Sequence, residues 1–319
     1  MKKLILAFGV FMLCTILGVG TAFSQVNLEE PPAIDSSIHI EHGFRVDNLD
    51  WNRAGTINGT SPNVLSELMW RNMEMYQLKI WGDTTINEGC YFKWSVDYSW
   101  MTHGIFYSPE SQDSDYFLDN RNFEVSRFIS KTDGSTAYDA SVATGYKFDS
   151  DSDRFWIAPL VGYSLNKQNL TMKNGVRQIP DLPNPNFPNL NSNYRSLWKG
   201  PWFGVDLAYK EYKKLTVAGG FEYHINTYRA DANWNLRTDF MHPLSFENNA
   251  NGNGILAYFR GNYAISSHWS LTAEREDRKF YTRPGVTAIY LANGFIFNSR
   301  LNRVNWNSTV VSIGTRYHF

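Results

Sequence analysis

The chain has 319 residues, with 30 Lys plus Arg against 31 Asp plus Glu, aromatic side chains at 16% and a mean hydropathy of -0.39. This balance leaves no basic footprint for nucleic acid. Two cysteines, one of them inside the leader described next, exclude an internal disulfide framework.

The first residues, MKKLILAFGVFMLCTILGVGTAFSQ, carry Lys2 and Lys3, an apolar run from Leu4 to Val19, and small residues at Ala22 and Ser24. These are the three regions of a secretory signal peptide over residues 1–24, so the mature domain is expected over 25–319. An uncleaved anchor is the competing reading, weakened by the short apolar run. Cys14 follows Leu13 rather than a small residue and reads as part of the apolar run, which leaves Cys90 as the mature chain's one thiol.

No later segment is apolar for the roughly 20 residues that a membrane helix needs. A secreted, aromatic-rich chain of low hydropathy points instead to an all-β, antiparallel transmembrane β-barrel of a Gram-negative outer membrane, where only alternate residues are apolar. A soluble periplasmic β-protein is the alternative. In Cys90–Met101, the residues Cys90, Phe92, Trp94, Val96, Tyr98 and Trp100 share one face, and Tyr91, Lys93, Ser95, Asp97 and Ser99 the other. A strand of that length is long enough to cross a bilayer on a tilt.

The same alternation predicts ten strands in chain order. Ile38, Ile40, Phe44 and Val46 alternate with His39, Glu41, Gly43 and Arg45 in the first. Leu68–Ile80, Cys90–Met101, Tyr138–Phe148, Phe155–Leu165, Trp202–Tyr209, Leu215–Tyr228, Ile255–Ile265, Leu271–Phe280 and Val304–Phe319 follow. Short turns (GDTTINEG, DSDSD, KEYKK, SSHW) alternate with long segments such as IPDLPNPNFPNLNSN. Short periplasmic turns, long extracellular loops and an even strand number are the pattern of bacterial barrels, with both ends inside. The terminal Phe319 is similar to the C-terminal signal through which barrel proteins engage their assembly machinery, or serves as an interfacial aromatic. Ten strands are too few for a wide aqueous channel, so Lys93, Asp97, Glu222, Arg260, Glu274 and Arg316 are expected to form an interior network. The run Glu274–Lys279 is expected to emerge above the bilayer in water, where its Arg and Lys could meet lipopolysaccharide phosphates.

These features resemble the omptins, outer-membrane endoproteases built on a tall, narrow ten-stranded barrel. Ser66, Leu68 and Trp70 in SELMW are similar to a Ser, Leu, Trp pattern of an early omptin strand, and QDSDYF resembles the family's Asp-x-Asp element in the second outer loop. The resemblance implies a site in two halves: an Asp pair that helps to hold the attacking water, here Asp113 and Asp115, and an Asp-x-His pair that supplies the base. Counted upward from Phe221, Glu222 and Tyr223, the second pair falls on Asn233 and Asn235, and an amide neither accepts a proton nor carries charge. Asp239 and His242, spaced by three instead of two, leave His242 as the candidate base of a rearranged site. The segments Trp234–Gly254 and PNVLSELMW resemble the Protochlamydia outer membrane protein family, which implies the barrel and little about activity.

Asp113, Asp115, Asp239 and His242 are ligands of acceptable type for a metal. They come from two separate loops, and no His pair has the spacing of a metal motif, so no metal or other cofactor is expected. Two functions follow. One is a non-enzymatic barrel serving envelope structure, surface interaction or narrow solute passage. The other is an omptin-type endopeptidase that uses Asp113, Asp115 and His242. The partners expected are outer-membrane lipid, lipopolysaccharide and the assembly machinery.

Overall fold

The structure is a computed structural model that describes residues 33–319 except 88, 103–105, 151, 153, 182, 184 and 213, and only the backbone of 211 and 212. The signal-peptide reading and Cys14 lie outside the described residues. Fourteen strands run in chain order: β1 Ile34–Arg53, β2 Ser66–Ile86, β3 Cys90–Met101, β4 Glu110–Tyr116, β5 Glu124–Lys131, β6 Thr136–Tyr146 and β7 Phe148–Asp149. Then come β8 Phe155–Ile179, β9 Asn186–Tyr212, β10 Leu215–Asn233, β11 Phe246–Ala264, β12 Trp269–Thr282, β13 Gly285–Tyr290 and β14 Ile296–His318.

Ten of these, β1, β2, β3, β6, β8, β9, β10, β11, β12 and β14, pair antiparallel in a ring. The ring closes where Ser37 to Arg53 of β1 pair with His318 to Leu301 of β14. Closure leaves no sheet edge exposed. The four remaining strands are accessory. Where β3 stops, β4 takes its place against Ser66–Arg71 of β2, and β5 takes the place of β6 against Lys173–Ile179 of β8. Likewise β13 replaces β12 between β11 and β14. The wall therefore continues beyond the strands that the alternation marks.

Period-two patterning explains which side chains face outward. On β10, Phe221, Tyr223 and Ile225 are 40–47% exposed, while Glu222, His224 and Asn226 between them are buried. Val96, Val142, Val161, Leu207, Phe259, Val311 and Ile313 continue this exposed apolar belt around the ring. Tyr146, Phe148, Tyr209, Tyr263, Trp269, Tyr317 and Phe319 edge it near the short turns. An apolar belt of this extent on a barrel is a lipid-facing surface.

The interior is layered. Towards the long-loop end, Trp51, Trp70, Tyr194, Trp198, Tyr228, Phe246, Phe280 and Trp306 form a buried aromatic cluster. Trp198 stands 4.4 Å from Tyr228 and 6.4 Å from Trp306, centroid to centroid. Beneath it lies an ionic layer. Arg45 donates to Asp47 at 2.8 and 3.0 Å and to Asp139 at 2.8 Å. Arg278 donates to Asp139 at 2.6 Å, and Lys79 to Glu274 and Glu276 at 2.8 and 3.1 Å. Lys93 reaches Asp206 at 3.0 Å and Glu222 at 3.9 Å, and Arg260 donates to Glu274 at 2.7 Å.

Three sequence expectations change. Arg316 forms no ion pair among the described residues and stands apart from the network. The run Glu274–Lys279 is split by the strand period: Glu274, Glu276 and Arg278 are buried inside, and Arg275 and Asp277 pair at 2.7 Å on the outer face. The segment IPDLPNPNFPNLNSN is mostly strand, since β8 reaches Ile179 and β9 starts at Asn186. There both faces meet water, so the ladder persists after the apolar alternation that marks it in sequence has faded. A register shift between Lys173 and Gly175 accommodates the proline-bearing partner.

Candidate functional site

The two carboxylates lie on β4, where Asp113 pairs with Leu68 of β2 and Phe128 of β5, and Asp115 with Ser66 and Ser126. Spacing by two in an extended strand puts both on one face. They line a small cleft of about 40 Å³ with Trp51, Arg53, Trp234 and Arg237, enough for ordered water. Asp115 accepts a hydrogen bond from Ser126 Oγ at 2.9 Å.

Burial, and then the charge of Asp115, push the Asp113 carboxyl up to about 7, against smaller opposing contributions from the Trp234 indole, Arg237 and Arg53. Near neutral pH the Asp113 carboxyl is therefore about half protonated. Two donors facing this cleft, Trp51 Nε1 and Arg53 Nη1, are buried without a protein partner. The cleft can polarise a bound water, or accept a ligand that brings its own acceptor atoms.

His242 stands elsewhere. It is exposed and does not line the cleft. Its Nδ1 lies 2.8 Å from Asn233 Oδ1 and its Nε2 lies 3.1 Å from the Arg237 carbonyl oxygen. A carbonyl can only accept, so Nε2 must donate, and Asn233 occupies the other nitrogen. Both ring nitrogens are therefore engaged by the loop itself and not by the Asp113 cleft. Asn235 holds the loop in place: its Oδ1 accepts from Asn191 N at 2.9 Å and Ser192 Oγ at 3.0 Å, and its Nδ2 donates to the Asn189 carbonyl at 2.8 Å. Asp239 is held by Arg237 at 2.7 and 2.8 Å. Among the described residues, no three His, Cys, Asp or Glu side chains converge as a metal site requires.

The structure thus brings Asp113 and Asp115 together and leaves out His242, Asn233 and Asn235. Four lining residues escaped the sequence reading. Trp51 and Arg53 carried a usable signal, because they continue the inward phase His39, Glu41, Gly43, Arg45, Asp47, Leu49 of β1. Trp234 and Arg237 sit in the loop after β10, where no period exists to place them.

With the geometry in hand, the relatives can be weighed. The fold is similar to that of the outer membrane protease OmpT from Escherichia coli, with a TM-score of 0.74 and 13% identity over 93% of this chain and 100% of that one. The translocator domain of autotransporter NalP from Neisseria meningitidis superposes with a TM-score of only 0.38 at 10% identity, over 100% of this chain and 96% of that one. At 13% identity the likeness to OmpT speaks for the fold and not for the chemistry. No curated protein matches the sequence. Residues 39–319 match the family described as Protochlamydia outer membrane protein, which places the barrel in the outer membrane. The chain belongs to the Protochlamydia outer membrane protein family.

Proposed function

We propose that this protein is a closed, non-enzymatic barrel whose work is surface interaction at its extracellular rim. The observation that carries this reading is the engagement of both His242 ring nitrogens by Asn233 and Arg237, away from the Asp113 and Asp115 cleft. Narrow solute passage is the weaker form of the same reading, because the aromatic cluster and the ionic layer both fill the lumen. Refolded protein incubated with lipopolysaccharide and a library of basic peptides is expected to leave every peptide intact. Cleavage that disappears in Asp113→Ala overturns the proposal.

The alternative, an omptin-type endopeptidase with a rearranged site, has one feature in its favour: burial beside Asp115 pushes the Asp113 carboxyl up to about 7, so the pair could serve as acid and base without a histidine. That reading requires a bell-shaped pH–rate profile with a limb near 7.

Two partners belong to the proposal. Lys167, Arg195, Lys199 and Arg229 are exposed on the neighbouring strands β8, β9 and β10, beyond the apolar belt, and suit the phosphates of lipopolysaccharide. Phe319, 71% exposed beside Tyr317, suits recognition by the assembly machinery, and its deletion is expected to reduce the folded barrel recovered from outer membranes.

A further inference from the structure

At the short-turn end the lumen opens into a second, larger cavity of about 610 Å³, within the size range of small-molecule sites. Its roof is the ionic layer, where Arg260 lies 3.8 Å over the Trp81 ring and His39 stacks on the same indole at 3.4 Å. The mouth lies on the side of the start of β1, the C-terminal end of β14 and the short turns, which in an outer-membrane barrel is the periplasm.

Among the described residues that line this vestibule, cations outnumber carboxylates. Its three described carboxylates are all engaged: Asp35 with His318 at 3.3 Å, Asp149 with Lys147 at 3.4 Å, and Asp83 with the Ser37 hydroxyl. Four lining cations, Arg154, Lys210, Lys214 and Arg316, have no carboxylate partner among the described residues. Arg316 also keeps Nε buried and unbonded.

Acceptors are left over as well. Ser37 gives its proton to Asp83, so its oxygen must accept from His39 Nε2 at 3.2 Å. A neutral His39 then presents a bare lone pair at Nδ1, and this atom, in a residue only 1% exposed, has no partner. Asn262 Oδ1, in a residue 7% exposed on the same cavity, is likewise unbonded. An inorganic anion would satisfy the cations and repel these two lone pairs. A ligand that brings both anionic oxygens and hydroxyl protons, as an acidic sugar does, satisfies all of them.

We infer that the periplasmic vestibule is a binding site for an acidic saccharide, a sugar bearing a phosphate or carboxylate, with Arg316 and Lys210 on the acid group and His39 and Asn262 on hydroxyls. Calorimetric titration of the refolded protein in zwitterionic detergent with glucose 6-phosphate, glucuronate, glucose and sulfate tests this. Both sugar acids bind at least about ten-fold more tightly than glucose or sulfate, the gap expected for charge-assisted hydrogen bonds. Arg316→Gln combined with Lys210→Gln removes that advantage, and Asn262→Leu weakens the sugar acids while leaving sulfate unchanged. Heat-modifiable gel mobility checks that each variant is folded, and the exposed Lys210→Gln alone serves if the double variant is not. Glucose or sulfate binding as tightly as the sugar acids, or sugar-acid affinity unchanged in a folded cation variant, overturns the inference.

Discussion

Asp113 shows how far one side chain's chemistry depends on its setting. Its carboxyl is pushed up to about 7 by burial and by Asp115, so it binds a proton more tightly folded than unfolded. The sign follows directly: its contribution to stability is complete below the ordinary carboxyl value of about 4 and is lost as pH rises through about 7. Amide exchange in β4 is therefore expected to be slower at pH 5 than at pH 8, and Asp113→Asn should flatten the difference. A protonated-carboxyl infrared band that titrates near 7 in the wild type and is absent from Asp113→Asn provides the direct readout, whereas a band lost near 4 counts against the shift. The Asp-x-Asp spacing was legible in the sequence because it needs only the strand period. The shifted proton affinity was not, because its main cause is burial, and the cleft that buries Asp113 is completed by Trp234 and Arg237 from a distant loop whose fold no local pattern encodes.

At the scale of elements, the loop from Trp234 to Ser245 decides whether a base can reach the carboxylates, and Asn235 fastens that loop to the tip of β9 through three hydrogen bonds. Asn235→Ala leaves those partners to water and is expected to cost about 1–3 kcal/mol locally, seen as faster exchange at Asn191 and earlier proteolysis of the loop. Unchanged exchange at Asn191 would show that the loop is held by other means. The ten ring strands were legible because each buries one face and offers the other to lipid. The accessory strands β4, β5 and β13, only six to eight residues long, were not, and neither were the outer halves of β8 and β9, where an element with water on both sides keeps its ladder without keeping an alternating pattern. Strand β1 lies between these cases: its inward phase runs from His39 to Arg53 but turns from polar to apolar at Leu49 and Trp51, the level where the ionic layer gives way to the aromatic cluster.

For the whole molecule, two fillings in series make leakage hard to induce. Trp198 is fully buried, and Trp198→Ala is expected to destabilise the barrel by about 3–5 kcal/mol while leaving planar bilayers silent, because the Arg45, Asp139 and Arg278 pairs beneath it stay in place. Single-channel steps in the wild type would contradict a closed lumen. Asp139→Ala strikes the other layer: it leaves two guanidinium groups short of their shared carboxylate, a loss of about 3–5 kcal/mol readable as a lower melting temperature of the heat-modifiable band. The continuation of the wall by β4 and β5 also sets a reach. From Ile86 up to Leu68, opposite Asp113, β2 climbs roughly 45 Å at about 3.3 Å per residue and a tilt of about 40°, against an apolar band of about 25 Å. Asp113 thus stands some 20 Å clear of the hydrocarbon, about six extended residues of chain. A partner embedded in the same membrane can touch it only from the end of a stalk, while a molecule arriving from the surrounding medium meets it first.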